Sequence, residues 1–504
     1  MRGPLGTPVD ASTLRSYDDP GRLPRHHPQR TVPKRMGVDG RWVLVALVHA
    51  VGIAVGPRAD AGIVVTVVAV CATTVAWWGS RSVLFAAAVA ATMLLAAWQG
   101  QAAWRAAEPD RLGRWSGWAL VVADPASRGR ATMLTVEVDG ERFDTFAYGA
   151  TGRKLAAVAT GEYVRLAGRR VVRTGVDARR AAIRHVVGRF EVEMVGDVRV
   201  GSPATDAANR VRRTLREVAE DAMSPDEAAL FSGLVIGDDA RQSPEMVQRF
   251  RAVGLSHLTA VSGQNVAFVL AAAAPLLHRL SARRRWAVSL GLIVWFMVLT
   301  RFEPSVLRAG VMAMLSATAF LAGRVASPVR LLAITVTVLT AIDPMLVWSV
   351  GFWLSVSATA GVAVLAPLLE QLLRLPPWCA TALGVTLGAQ VGVAVPSLLV
   401  FGRLPIVALL ANPAAVPVAG FVMLVGVPSA LSAALLSTGG RSFVADAVML
   451  PSQLGTRWVD QVSRVAAAVE PPPTVSAVCW VVLALVMAGR WWRNRVARQT
   501  DVPI

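Results

Sequence analysis

The chain has 504 residues, 54% of them hydrophobic and 17% charged, with a net charge of +18. A soluble domain carries roughly 25% charged residues, so this composition excludes a chain dissolved in water throughout. The basic excess has two possible sources: cytoplasmic loops of a membrane protein, or contact with nucleic acid. The three cysteines, Cys71, Cys379 and Cys479, lie apart in or beside apolar sequence, which leaves no CxxC metal or redox motif.

Residues 1–41 are polar and rich in Pro, Gly and Arg, without apolar periodicity. They read as a disordered basic cytoplasmic tail. Residues 42–104 hold three apolar segments, near 42–56, 61–78 and 82–104, separated at Pro57-Arg58 and Gly79-Ser80-Arg81. With the N-terminus inside, the chain leaves the third segment on the outer side.

Residues 105–203 change character. Alternation predicts strands at 118–123, 131–138, 142–148, 163–166 and 190–200, and Asp139-Gly140 is a hairpin turn. Short strands in this number suit a small barrel or sandwich. Residues 204–252 read as amphipathic helices, with Ser224-Pro225-Asp226-Glu227 supplying a cap and an acidic first turn.

Residues 253–489 read as a membrane bundle. Spans are expected near 254–277, 287–300, 305–322, 331–347, 348–369, 378–400 and 474–489, with Pro-interrupted apolar sequence through 405–436. Arg279, Arg283, Arg284, Arg285, Arg324, Arg330 and the 490–504 tail fall on one side of this layout. That side is the cytoplasm by the positive-inside rule, which puts the β-rich domain outside. The fold class is therefore a polytopic α-helical membrane protein of about twelve spans, if 405–436 crosses twice, with an inserted extracytoplasmic small β-barrel. Residues 405–436 contain Pro405, Pro413, Pro417 and Pro428, so a re-entrant or broken helix is the other reading.

Gly254–Val266 opens a span yet carries His257, Thr259, Ser262, Gly263, Gln264 and Asn265. Polar groups in hydrocarbon need partners or water. At 100° per residue His257 and Gln264 share one side, with Ser262 and Asn265 on another, so the helix is either enclosed by neighbours or unwound at Ser262-Gly263. Interhelical hydrogen bonding is the bland account; a polar conduit is the functional one. Five residues of helix hold His257 and Ser262 apart, which argues against a nucleophile–base pair. Arg308 sits in otherwise apolar sequence, where an Arg at a helix centre costs roughly 2.5–3.5 kcal/mol. It can snorkel, pair with Glu303, or meet a passing phosphate. Gln390 and Asn412 are further polar points, as are Ser355 and Ser357.

The chain contains no Gly-x-x-x-x-Gly-Lys-Ser/Thr loop and no His-Glu-x-x-His. Of its six histidines only His26 and His27 are close together, so no metal site is expected, no cofactor, and no enzymatic role. In the β-rich region Trp115, Trp118, Phe143, Phe146, Tyr148 and Tyr163 are interleaved with Arg. That mixture suits single-stranded nucleic acid, and equally an ordinary strand core with a solvated surface.

Gly254-Leu255-Ser256-His257-Leu258 with Ser262-Gly263 resembles the signature of the ComEC competence family. Leu234–Asp238, Pro304–Ala309, Asp343-Pro344, Gly351–Ser355, Gln390, Pro396, Phe401-Gly402, Asn412 and Pro417 follow in the family's order. The resemblance covers residues 42–440. It implies an OB-like β-domain and a channel passing single-stranded DNA into the cytoplasm, with His257, Ser262, Gly263, Gln264, Asn265, Arg308, Gln390 and Asn412 along or beside the path. Many relatives have Leu-His where this chain has Gln264-Asn265. Many also continue into a metallo-β-lactamase-like domain, so a separate nuclease is expected, with a separate DNA receptor and a cytoplasmic ATPase. A transporter of a lipid or another polyanion, and a membrane-embedded hydrolase, are the rival readings.

Overall fold

The computed structural model describes residues 38–58, 83–259, 263–324, 326–373, 375–437 and 443–500. The expected span 61–78 lies outside them, as does most of the N-terminal tail. Helix α1 (Val38–Val55) begins earlier than the expected 42, and α2 (Val83–Arg105) packs beside it.

The β-domain has strands β1 (Gly113–Val121), β2 (Ala126–Arg128), β3 (Ala131–Val138), β4 (Glu141–Tyr148), β5 (Tyr163–Val172) and β6 (Val186–Arg199), with short helices α3 (Gly149–Ala156) and α4 (Val176–Ala182). The strand order is β1-β5-β6-β4-β3-β2, and β1 also meets β3 through Leu120–Glu137 and Val121–Val136. The β4–β6 pair is parallel and the rest are antiparallel. Alternate residues turn inward, so Leu134, Val136, Phe143, Val164, Leu166 and Phe190 form an apolar core. The β3–β4 turn falls at Asp139 and Gly140, both with positive φ, as a two-residue hairpin requires.

Three helices link this domain to the bundle: α5 (Pro203–Ala222), α6 (Pro225–Ile236) and α7 (Pro244–Ala252). Ser224 and Glu227 form a reciprocal capping box at the start of α6. The expectation of amphipathic helices fits α5 and α7 but not α6, in which every residue from Ala228 to Ile236 is buried. It is a core helix, enclosed by α5 and the bundle.

The bundle holds α8 (Ser256–Thr259), α9 (Gln264–Leu277), α10 (Ala282–Leu299), α11 (Pro304–Leu321), α12 (Pro328–Ile342), α13 (Val350–Leu372), α14 (Pro377–Phe401), α15 (Ala408–Leu436), α16 (Phe443–Val469) and α17 (Pro473–Thr500), with a 3-10 turn at Pro344–Trp348. Seven described helices are long and apolar enough to cross a membrane: α1, α2, α11, α13, α14, α15 and α17 up to Arg493. Helices α9 and α12 are apolar but shorter.

Four expectations change. Residues 254–277 do not begin as a helix: Gly254 takes a φ of +74°, helix is described over Ser256–Thr259 and Gln264–Leu277, and 260–262 lie outside the described residues. The region 405–436 holds one continuous helix, α15, with Pro413, Pro417 and Pro428 inside it. Membrane helices tolerate such prolines where neighbours satisfy the freed carbonyls. The 490–504 segment is helical to Thr500 as part of α17. Finally, α16 occupies sequence to which no element had been assigned. It runs antiparallel along α15, with Trp458 donating to the Ala414 carbonyl (2.9 Å) and Ser452 paired with Ser429 (3.1 Å).

Candidate functional site

The signature segment follows directly from α7. Val253, Leu255 and Leu258 are fully buried and pin its backbone, while Gly254 makes the positive-φ turn that a side chain disfavours. A methyl group built at Gly254 would touch the Ala408 Cβ at 2.9 Å and the Gln390 Nε2 at 3.7 Å. Gln390, itself buried, therefore sits beside this turn at the start of α15. Thr259 closes α8 with its hydroxyl on the Ser256 carbonyl (2.9 Å), and Gln242 donates to the Thr259 carbonyl at 3.0 Å.

The remaining predicted residues divide around this break. Asn265 is buried and its Nδ2 donates to the Leu234 carbonyl at 2.9 Å, fastening α9 to α6. Gln264, its neighbour, is exposed. His257 is exposed. Asn412 has a buried Oδ1 that meets no hydrogen-bond donor among the described residues. Ser262 lies outside the described residues.

Arg308 is 7% exposed. Its Nε donates to the Ser355 hydroxyl at 2.7 Å and its Nη1 points at the Met312 sulfur at 3.4 Å. It neither snorkels nor pairs with Glu303, two of the three possibilities its position raised. Instead Nη2 faces Gly263: a methyl built there would lie 2.9 Å from it. The structure thus gathers Gly263 with Arg308 and Ser355, and Gly254 with Gln390. The His257 ring meets the Gly254 backbone, and no side-chain hydrogen bond joins it to Arg308 among the described residues.

A second charged cluster, at the junction of β-domain and bundle, escaped the sequence reading. Arg212 on α5 donates to the Ile236 and Leu299 carbonyls at 2.9 and 3.1 Å and to Asp124 at 3.1 Å. Arg301, between α10 and α11, grips both Asp124 oxygens at 3.1 and 3.2 Å and donates to Asn209 at 2.6 Å. Thr160 adds its N–H and hydroxyl to Asp124, and Arg216 pairs with Asp238. Burial pushes the Asp124 carboxyl up, but Arg212, Arg301 and Thr160 outweigh it and hold the group well below the usual carboxylate range. A cavity of about 390 Å³ opens here, bordered by Arg213 and Arg241 as well. The i, i+4 spacing of Arg212 and Arg216 was the only trace of this cluster in the sequence.

The aromatics of the β-domain separate cleanly. Phe143 is core, and Trp115 packs edge-on against Phe190 at 5.8 Å. Phe146 is covered by Arg173 and Arg189, and Arg199 stacks 4.0 Å over Trp118. Tyr148 and Tyr163 are exposed.

These features define a multi-pass membrane protein with a polar segment entering its bundle and a β-domain clamped to the bundle through Asp124, Arg212 and Arg301. Residues 234–495 match the profile of the Competence protein family. The chain belongs to that family, of which ComEC proteins are members. It is 28% identical over 300 residues to Competence protein ComA of Neisseria gonorrhoeae, covering 56% of this chain and 41% of that one. It is also 28% identical over 245 residues to ComE operon protein 3 of Bacillus subtilis (strain 168), covering 46% of this chain and 30% of that one. The matches span less than half the length of either relative. No solved structure matches the chain.

Proposed function

We propose that this protein is a membrane conduit through which single-stranded DNA enters the cytoplasm during transformation. The observation that carries the reading is Arg308: a buried guanidinium that pairs with no carboxylate among the described residues, next to Gly263 of the signature segment. Charges inside a membrane bundle face one another, a cavity or a substrate, and a polyanion supplies the missing counter-charge. Membership of the competence family supports the choice of DNA. The role is one of passage, with no covalent chemistry assigned to His257. Labelled DNA should fail to reach the cytoplasm in a strain lacking only this protein, and uptake should return on complementation. Unimpaired uptake in the null strain would remove the proposal.

The β-domain belongs on the outer side in this reading, with an OB-like architecture. The run of pairings from β1 through β5, β6, β4 and β3 back to β1, with β4 and β6 parallel, supports the latter. Trp118 lies opposite Arg165, and Tyr163 opposite Arg199, on its outward face. Stacked cations and aromatics of this kind suit bases and phosphates of a single strand.

Helix α16 completes the crossing parity. Its 27 residues span about 40 Å at 1.5 Å per residue, alongside the membrane helix α15. Its buried face carries Ser452, Thr456, Asp460 and Ser463, while Phe443, Leu450, Leu454 and Trp458 point outward. Together with the expected segment 61–78, the seven helices long and apolar enough to cross and the four others among α9 to α17 make about twelve crossings. A phosphatase reporter fused after Glu470 should be active, and one fused after Leu436 inactive. Equal activity at both positions would instead lay α16 along the surface.

A further inference from the structure

We propose that the cavity between the β-domain and α5 binds phosphate, and that, resting on the conduit reading, its ligand is the backbone of the incoming single strand. Asn209, Arg212, Arg213 and Arg216 fall at i, i+3, i+4 and i+7, so α5 brings one polar stripe to the cavity. Arg301, between α10 and α11, and Arg241, between α6 and α7, extend that stripe. The rest of the wall is β-domain, with Ala126, Ser127 and Thr132 beside the turn at Ala156–Ala159. These small side chains leave a space of about 390 Å³, within the roughly 300–1,000 Å³ usual for ligand sites.

The arginines of this wall are unequally engaged. Arg212 and Arg301 share Asp124, and Arg216 lays both Nε and Nη2 on one oxygen of Asp238. Arg241 pairs with Glu220, and Glu162 accepts the Ala159 N–H. Arg213 is exposed and pairs with no carboxylate among the described residues, so its guanidinium keeps the two-pronged grip that suits a phosphate. Burial, and then the neighbouring Arg216 guanidinium, push Arg241 below the usual arginine range, so two cations already crowd each other here. An anion beside them relieves that repulsion. No aromatic side chain among the described residues lines the cavity, so it offers donors to a phosphate and no stacking surface to a base. Contacts of this kind hold a strand by its backbone, whatever its sequence.

The experiment uses the full chain in lipid nanodiscs and a fluorescent oligothymidylate, with affinity followed by anisotropy over a salt series. For a single strand, log affinity falls against log salt by about 0.7 for each phosphate neutralised. Arg213→Gln should reduce that slope by about 0.7. Ala157→Glu puts a carboxylate on the wall without removing an arginine, and should weaken binding about fivefold, the worth of one such contact over a decade of salt. Arg210→Gln takes the same charge from the same helix outside the cavity, where Arg210 pairs with Asp206, and should keep the wild-type slope. Equal slopes for Arg213→Gln and Arg210→Gln would reduce the effect to net charge and overturn the site, as would wild-type affinity in Ala157→Glu. Displacement of the strand by inorganic phosphate, at an ionic strength where chloride leaves it bound, would give the site to free phosphate and overturn its assignment to the strand. Normal uptake in the null strain would refute the conduit, whereas a slope lowered by Arg213→Gln and not by Arg210→Gln would still support a phosphate site.

Discussion

Replacing Arg212 with Met should release the β-domain from the bundle and abolish DNA uptake. The Arg212 guanidinium touches four acceptors on three pieces of chain: Asp124 of the β-domain, the end of α10 at Leu299, and the end of α6 at Ile236 with Asp238 just beyond it at 3.8 Å. Methionine fills much of the volume but leaves two buried carbonyls without a donor and each aspartate with one arginine fewer. Breaking a buried ion pair from one side costs about 3–5 kcal/mol, a large share of the 5–15 kcal/mol typical of a folded domain. Arg212→Lys should rescue little, since a single ammonium cannot reach acceptors on separate elements as a planar fork does. Limited proteolysis in membranes should show new cutting between the β-domain and α5, and intact wild-type-like fragments would contradict the clamp. The same assay has a defined pH dependence. Because folding lowers the Asp124 carboxyl, its contribution is complete above the unfolded value near 3.9 and is lost only as pH falls through the folded one. Protection should therefore stay constant between about pH 8 and 5.

What could be read from the sequence was local or periodic. The Asp139-Gly140 turn and the Ser224–Glu227 box are complete within four residues, and both stand in the structure. The polar run Gly254–Val266 stood out because its chemistry contradicts its apolar surroundings. The Asp124 clamp left no such mark, because its arginines lie 88 and 177 residues away and each alone resembles an ordinary surface charge. Helix α16 was hidden for another reason. Its Ser452, Thr456, Asp460 and Ser463 fall on one buried face, with Arg249 paired to Asp460. Averaging hydropathy along a window discards that phase, so a helix with one polar face loses its apolar signal. The prolines of 405–436 misled in the opposite direction. They suggested a break that packing against α16 and α9 does not permit.

A large steric effect is expected at Gly361, where α13 and α14 approach backbone to backbone. A Cβ at Gly361 would overlap the Gly388 carbonyl oxygen, and one at Gly392 would overlap that of Ser357. Small residues permit such approach, and in a bilayer close packing is a main source of helix association. The contact also sets the site, since α13 carries Ser355 to Arg308 and α14 carries Gln390 to Gly254. Gly361→Leu must part the two helices, and with them these two anchors. Overpacking typically costs about 1–3 kcal/mol where neighbours can yield; here the obstacle is backbone, which yields least. The variant should accumulate poorly, melt well below the wild type in detergent, and take up little DNA. Gly351→Leu is the matched control on the same helix, because a Cβ there meets nothing within 4 Å. If the two variants melted together, the α13–α14 contact would carry no more of the bundle's stability than an open position at the helix end.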